Sequence, residues 1–337
     1  MAVTIRDVAK EAGTTIGTVS KAMNNSYTIS GEMTAHVKAV AERLGYRPNA
    51  RAQSFSRRAN RDVAFLTYLP RDIGFTNPHM FEILVGAEAA LREKGYSVKL
   101  YSCDADNVCH LVKEAIDTKM VDGLLLHASV VTRELAVLLG HTGAAHIVIG
   151  KPDFGNSLCW IDNNNKFAGE VAAAHIYEQG HREIVYFGGT DKDHISTDRL
   201  KGIKYYLEER GISSEDLIVY QGESSLKSGS EMTAKLLSEK KLPPAIICAN
   251  NLLAFGCLKE IQRAGLNVPG HISLMTFDDY PLAQLSDPAL TTVSINVYDM
   301  GVSAGKLLVK KIKRPELKIQ TYTTMPELTI RGSTGAR

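Results

Sequence analysis

The sequence predicts a small all-α head of helix-turn-helix type, followed by an α/β body of two doubly wound parallel-sheet lobes. Three observations predict it. Up to Tyr46, apolar positions recur at helical spacing in three short stretches punctuated by Gly13 and Gly45. Beyond Arg61, short apolar runs alternate with longer helical segments, the pattern of parallel strands joined by crossover helices. The charge divides at the same place. Residues 1–61 hold ten Lys/Arg and four Asp/Glu (+6), and the other 276 residues hold 29 and 33 (−4), which gives the net +2.

In the head, Thr4 opens a Thr-x-x-Asp pattern in which its side chain caps the first helix and Asp7 sits favourably near the helix N-terminus. Ile5, Val8, Ala9 and Ala12 form the apolar stripe, and Gly13 ends it. Thr14-Thr15 provides a hydroxyl to cap a second helix from about Ile16 to Met23, with Val19 and Met23 one turn apart. Asn24-Asn25-Ser26 breaks that helix. Ser30 caps a third through Val37, Val40, Ala41 and Leu44, closed by Gly45. Helix, tight glycine turn, helix is the arrangement that lays a second helix in the major groove with its N-terminal side chains on base edges. A plain three-helix bundle has the same pattern. The basic excess suits a polyanionic partner, and a solubilising basic end would give the same balance. Residues 49–61 read as a hinge and linker, in which Asn49 caps a short helix of residues 50–56.

In the body, Val63–Leu66, Ser97–Tyr101, Gly123–Leu126, His146–Ile149, Ile184–Phe187, Ala245–Cys248 and Ile272–Phe277 read as buried strands. Helices are predicted near 79–94, 107–119, 132–139, 166–179, 198–210, 228–240 and 251–264, four of them ending at Gly95, Gly180, Gly211 and Gly265. That is too many elements for one sheet, so two lobes with a cleft are expected. Ligands in such folds bind beyond the C-terminal strand ends. The polar residues there are His127, Asp162, Arg199, Asn250, Asn251, Asp278 and Asp279. Together they suit a small polyhydroxylated or anionic ligand; singly, each is more often a cap or a lobe lock than a ligand contact.

Several function classes find no support. No stretch approaches the ~20 apolar residues of a membrane span, and no basic-then-apolar start marks an export signal. Five cysteines, an odd number with no Cys-x-x-Cys, fit a reduced cytoplasmic protein. Neither Gly-x-Gly-x-x-Gly after a strand, nor a phosphate loop, nor His-Glu-x-x-His, nor Gly-x-Ser-x-Gly is present. No catalytic residue, metal or cofactor is therefore expected. A two-lobed solute-binding protein, or a sugar or nucleotide enzyme, is the alternative if the head does not bind DNA.

Thr4-Ile5-x-Asp7-Val8-Ala9-x-x-Ala12-Gly13, then Thr18-Val19-Ser20-Lys21, Asn24 and Tyr46-Arg47-Pro48-Asn49-x-x-Ala52 resemble the signature of the LacI/GalR (lac-repressor) family of bacterial transcription regulators. The likeness runs over nearly the whole chain. It implies a helix-turn-helix domain over 1–48, a hinge helix and linker over 49–61, and a periplasmic-binding-protein-like effector-binding and dimerisation body over 62–337. The first lobe would take about 62–160 and 293–320, the second about 161–292 and 321–332. By the same resemblance Thr15, Ile16, Gly17 and Lys21 face base edges, while Thr4, Thr18, Ser20 and Asn24 mostly hold phosphates. Gly17 departs from the polar residue often found there and offers no side chain to read a base. Asn49, Ala52 and Phe55 lie in the hinge helix, with Phe55 in place of the leucine that wedges between bases when two copies meet over the minor groove.

In the body, Gly180-His181-Arg182-Glu183-Ile184 and Gly188-Gly189 match a second-lobe strand of that family. Arg199-Leu200-Lys201-Gly202 matches its effector-gripping arginine, and Phe277-Asp278-Asp279 the segment whose first Asp holds the effector. Asn77-Pro78-His79-Met80-Phe81 implies that His79 and Met80 face the ligand, with Asp162 and Asn250 completing the set. Asn251 stands where the family normally has Asp, Ser224 where sugar binders often carry an aromatic platform, and Ile295 where some relatives are polar. The resemblance thus implies a cytoplasmic, homodimeric repressor of carbohydrate-utilisation genes. It would bind a pseudo-palindromic DNA operator and a sugar or sugar-derivative effector, with a phosphoprotein co-regulator also open. The end, Arg331 to Arg337, has no apolar heptads for a tetramerising coiled coil.

Overall fold

The computed structural model describes residues 3–23, 28–46, 60–71, 78–239, 243–322 and 324–337, and the chain divides into two compact units at Arg61 and Asp62. In the first unit, α1 (Ile5–Glu11), α2 (Ile16–Met23) and α3 (Gly31–Arg43) close over Val8, Ala9, Ala12, Val19, Ala22, Val37, Val40 and Ala41. Helices as short as α1 and α2 are not stable alone, so this core holds them. Gly13 takes φ +61° at the turn between them, a conformation that costs glycine nothing. Ser30 Oγ accepts from the Met33 N–H at 3.3 Å, as its position predicts. Thr4 and Asp7 close a capping box at this end, as the pattern predicts, with the Thr4 hydroxyl and N–H donating to Asp7 Oδ2 at 2.7 and 2.8 Å.

The second unit begins with β1 (Asp62–Thr67), α4 (His79–Glu93), β2 (Ser97–Ser102), α5 (Val108–Asp117), β3 (Gly123–His127), a 3-10 turn (Ala128–Val130), α6 (Arg133–Thr142), β4 (His146–Ile149) and β5 (Trp160–Asp162). There follow α7 (Asn165–Glu178), β6 (Ile184–Gly188), α8 (His194–Glu209), β7 (Ile218–Gln221), α9 (Leu226–Ser238), β8 (Ala245–Cys248), α10 (Asn251–Arg263), β9 (Ser273–Phe277), α11 (Pro281–Leu285) and β10 (Thr291–Ser294). The chain ends through α12 (Val297–Lys313), β11 (Gln320–Tyr322) and β12 (Glu327–Thr329).

Two sheets result. The first runs β11-β5-β4-β3-β1-β2 with every pair parallel. The second runs β12-β10-β9-β8-β6-β7, parallel except where β12 meets β10. Alternate residues of β1 explain its unbroken apolar run. Val63 and Phe65 pack under α4 and α12, while Ala64 and Leu66 face the layer of α5 and α6. Val293 and Ser294 pair in the second sheet, and Ile161, Asp162, Thr321 and Tyr322 in the first. The crossovers therefore sit a few residues from the boundaries expected above, because pairing partners rather than chain composition define them.

Sequence reading missed α12, whose Val297, Met300, Ala304 and Leu308 follow helical spacing behind an Asn296 cap. It also missed β5, β7, β10, β11 and β12, each of three or four residues. On α12, Gly301 presses against α4: a Cβ there would lie 2.9 Å from the Ile83 carbonyl carbon, and one on Gly86 would lie 3.1 Å from that of Tyr298.

Candidate functional site

On the head, the first turn of α2 carries the exposed surface. Thr15 Oγ1 accepts from the Thr18 N–H at 3.2 Å and meets the Thr18 hydroxyl at 3.0 Å, so both threonines serve the cap and keep lone pairs outward. Thr4, Thr15, Ile16, Gly17 and Lys21 are exposed, Thr18 and Ser20 partly so. Ile16 is 45% exposed, a large apolar side chain that the core does not use. The N–H groups of this turn and the positive end of α2 suit phosphate oxygens. Hydrogen bonding to Thr4 holds the Asp7 carboxyl below the usual carboxylate range. Asn24, Asn49, Ala52 and Phe55 lie outside the described residues.

In the body, β9 delivers Asp278 at its C-terminal end in a left-handed conformation, φ +73°. That turn points the carboxylate at Arg199 on α8. Arg199 Nη2 donates to Asp278 Oδ1 at 3.0 Å and Nη1 to Oδ2 at 3.4 Å. The remaining guanidinium groups are also held: Nη1 donates to the Ala249 carbonyl at 2.6 Å and Nε to Asn165 Oδ1 at 3.3 Å. The Phe277 ring lies under the guanidinium at 4.3 Å. Arg199 is 3% exposed and Asp278 6%, so this is a buried ion pair whose guanidinium makes four hydrogen bonds. Asn251 Nδ2 donates to the Asp278 carbonyl at 2.8 Å, a bond that the aspartate common at this position could not make when ionised.

His79, the first residue of α4, brings the other lobe to the same point. Its Nε2 is 3.6 Å from Asp278 Oδ1, and its ring stacks on Tyr280 at 4.7 Å, tilted by 50°. Burial pushes the His79 pKa down, against the pull of Asp278, so the ring is neutral at pH 7. His194 of α8 reaches Asp153 at 3.1 Å, a second contact between the lobes. Met80 does not follow His79. It falls on the apolar stripe of α4 with Ile83, Ala87 and Leu91, is 3% exposed, and takes the Thr67 hydroxyl on its sulfur at 3.6 Å. The expectation that it faces the ligand is corrected by helical phase.

Asp162 accepts N–H bonds from Lys151 at 3.0 Å and Asn163 at 2.7 Å, and burial nevertheless raises its pKa. Asn250 caps α10 through Oδ1 and donates through Nδ2 to Ser224 Oγ at 2.8 Å. Ser224 Oγ lies 3.4 Å from Asp193 Oδ2, so a polar chain runs from Asn250 through Ser224 to Asp193. His127, closing β3, is pushed down to about 4 by burial and stays neutral, with Nδ1 on the Ser129 hydroxyl at 2.8 Å. Asp279 is drawn away from Arg199 to pair with Arg331 at 2.7 Å, a lobe lock rather than part of the grip. Asn165 and Tyr280 have no place among the residues expected from sequence. Asn165 carried one signal, its place at the start of a helix directly after a strand end.

Residues 4–49 match the family described as bacterial regulatory proteins, lacI family, and residues 173–334 a periplasmic binding protein-like domain. The chain is 30% identical over 339 residues to the transcriptional regulator RegA of Clostridium saccharobutylicum, covering 99% of this chain and all of RegA. It belongs to the LacI family. Another LacI-type relative, the transcriptional repressor PurR of Actinobacillus pleuropneumoniae serotype 5b, is 29% identical over 98% of each chain. The LacI-family fold is that of the lac repressor dimer bound to operator and the anti-inducer ONPF, with a TM-score of 0.84, 22% identity and full coverage of both chains. The CelR regulator in complex with cellobiose superposes with a TM-score of 0.73 at 25% identity, over 98% of this chain and 99% of that one. As a LacI-family member the chain is a ligand-responsive, DNA-binding transcription regulator. Among the described residues no helix is long and apolar enough to cross a membrane.

Proposed function

We propose that the chain is a cytoplasmic, homodimeric repressor of carbohydrate-utilisation genes, released from or fixed on its operator by an uncharged, polyhydroxylated effector such as a sugar. The observation that carries the effector reading is the buried Arg199–Asp278 pair, met from the other lobe by His79. Arg199 donates and Asp278 accepts, so together they match the hydroxyls of a sugar, which do both. Charge argues against a phosphate. Asp162 and Asp278 lie at these strand ends, Asp193 caps α8 beside them, and Arg199 is already neutralised by Asp278. Cellobiose on the CelR relative supports the same class. His79, Asp162, Arg199, Asn250 and Asp278 are the contacts proposed.

On DNA, Thr15, Ile16, Gly17 and Lys21 read base edges from α2: Lys21 donates to guanine acceptors and Ile16 touches a thymine methyl. Thr4, Thr18, Ser20 and Asn24 hold phosphates. Asn49 and Ala52 belong to the hinge, and Phe55 unstacks a base step. A single recognition helix covers only a half-site, so two copies are required on a pseudo-palindromic operator. Phe81 and Val85 on α4, and Leu282 and Leu285 on α11, leave apolar side chains in solvent, which supports pairing through the body. The effector acts by binding the open and closed lobes unequally.

A thermal-shift screen of the full chain against neutral sugars, sugar phosphates and nucleosides tests the effector, with gel-shift selection from random duplexes testing the operator. A neutral sugar should raise the melting temperature and shift operator affinity. Stabilisation by phosphates or nucleosides alone would replace the effector class, and failure to select a two-fold DNA site would remove the regulator reading.

A further inference from the structure

We infer that the start of α7, Asn165 to Gly169, is a positioning device for the effector grip, with Gly169 setting the distance of Arg199 and Asn165 its orientation. This rests on the reading that Arg199 holds the effector. The α7–α8 contact is tighter than side chains allow. A Cβ on Gly169 would overlap the carbonyl oxygen of Arg199 itself, lying 2.8 Å from its carbonyl carbon and 3.1 Å from its Cα. In return, a Cβ on Gly202 of α8 would lie 2.8 Å from the Lys166 carbonyl carbon and 3.0 Å from the Glu170 nitrogen. The two helices thus touch backbone to backbone on either side of Asn165 and Arg199, an approach in which Cα–H groups face carbonyl oxygens.

The side chain is fixed from the same turn. Asn165 is 7% exposed, and its Oδ1 accepts the Arg199 Nε–H at 3.3 Å. This bond sets the rotation of the planar guanidinium, so that its two terminal nitrogens meet the two oxygens of Asp278. The tolerance is small. Making room for a methyl group at Gly169 requires α8 to withdraw by roughly 1 Å, and bonds of 3.0 and 3.4 Å lengthened by that amount leave hydrogen-bond range. Arg199 cannot compensate by reaching further, because Ala249, Asn165 and Phe277 already hold it. Loss of the grip is therefore the consequence of a change one turn along the helix from Asn165, at a residue with no side chain of its own in the site.

Gly256 provides a matched control. It lies in the same lobe, where α10 meets α9, and a Cβ there would overlap the Leu226 carbonyl oxygen and lie 3.0 Å from its carbon. Gly169→Ala and Gly256→Ala should thus disturb the lobe comparably, and only the first should disturb Arg199. The experiment records the arginine Nε–H signals of the full-length protein by nitrogen-edited NMR, with Arg199→Lys identifying the Arg199 signal by its absence. Hydrogen exchange and the melting temperature are measured alongside. Gly169→Ala should move the Arg199 signal and speed its exchange at least tenfold, whereas Gly256→Ala leaves it in place. Asn165→Ala, which does not alter helix spacing, should speed exchange with little change in melting temperature, and it keeps the test alive if Gly169→Ala does not fold. An unchanged Arg199 signal in Asn165→Ala, or equal signals in Gly169→Ala and Gly256→Ala, overturns the assignment. No DNA or effector enters these measurements, so their failure is distinct from failure of the proposed function.

Discussion

Replacing Arg199 by alanine should destabilise the body strongly, and the size of the loss follows from what it leaves behind. Asp278 stays buried, with Arg199 removed from both of its oxygens. The nearest other candidate partner, His79, is 3.6 Å away, beyond hydrogen-bond distance, so the two bonds from Arg199 are not replaced. Stranding one member of a buried ion pair costs about 3–5 kcal/mol. Asp278→Asn added to Arg199→Ala removes the stranded charge, and asparagine tolerates the left-handed backbone at this position. The double variant should therefore regain about 1–3 kcal/mol of the loss, the desolvation penalty of an unpaired buried group. Urea unfolding at pH 7.5, followed by circular dichroism with m-values compared across the cycle, measures both numbers. A loss below about 1 kcal/mol in Arg199→Ala, or a further loss on adding Asp278→Asn, would refute the reasoning, because either result means that the carboxylate is not held as a buried charge.

Acid should weaken the body before it protonates most carboxylates. Burial lowers the pKa values of His79, His127, His146, His175 and His181, so below the ordinary histidine range the unfolded chain binds protons that the folded one does not. Melting temperature should hold above pH ~6.5 and fall toward pH ~4, and His127→Gln should flatten that slope. Deleting residues 1–60 should abolish operator binding in a gel shift while circular dichroism still reports a folded body, and for the full chain log affinity should fall steeply with log salt. Gly301→Ala should cost about 1–3 kcal/mol in urea unfolding through overlap with α4, although alanine is the better helix former. A gain in stability would mean that α4 and α12 can separate freely.

Most of the architecture could be read in advance because the buried parallel strands of a doubly wound sheet are apolar on both faces. Ile184–Phe187 and Ala245–Cys248 are such runs, and both form strands in the interior of the second sheet. The missed strands are those without that signature. β7 is an edge with exposed Ile218 and Gln221, and β11 and β12 have three residues each. Arg199 and Asp278 were legible as polar residues beyond strand ends and through the family motifs that carry them, whereas their mutual burial shows only in the fold. Met80 was misjudged because sequence proximity to His79 says nothing about helical phase, and one step along α4 turns a side chain by about 100°. Asn165 offered only its place at a helix start just past a strand end, and the role of Gly169 had no local pattern, because the partner of both lies thirty or more residues further along the chain.

The late exchange of strands between the lobes has a consequence for how the protein is made. β11 borders β5 at the edge of the first sheet, β12 borders β10 at the edge of the second, and both come from residues 320–329. Arg331, Ser333 and Gly335 then bond to Asp279, Leu274 and Ser273 of the second lobe. During synthesis the head can fold as soon as it leaves the ribosome, since its core is complete by Tyr46. Neither lobe can do the same. Each waits with an open edge until residues 320–329 have emerged, and a ribosome stalled ahead of Gln320 would hold a chain with a finished DNA-binding head and two unsealed sheets.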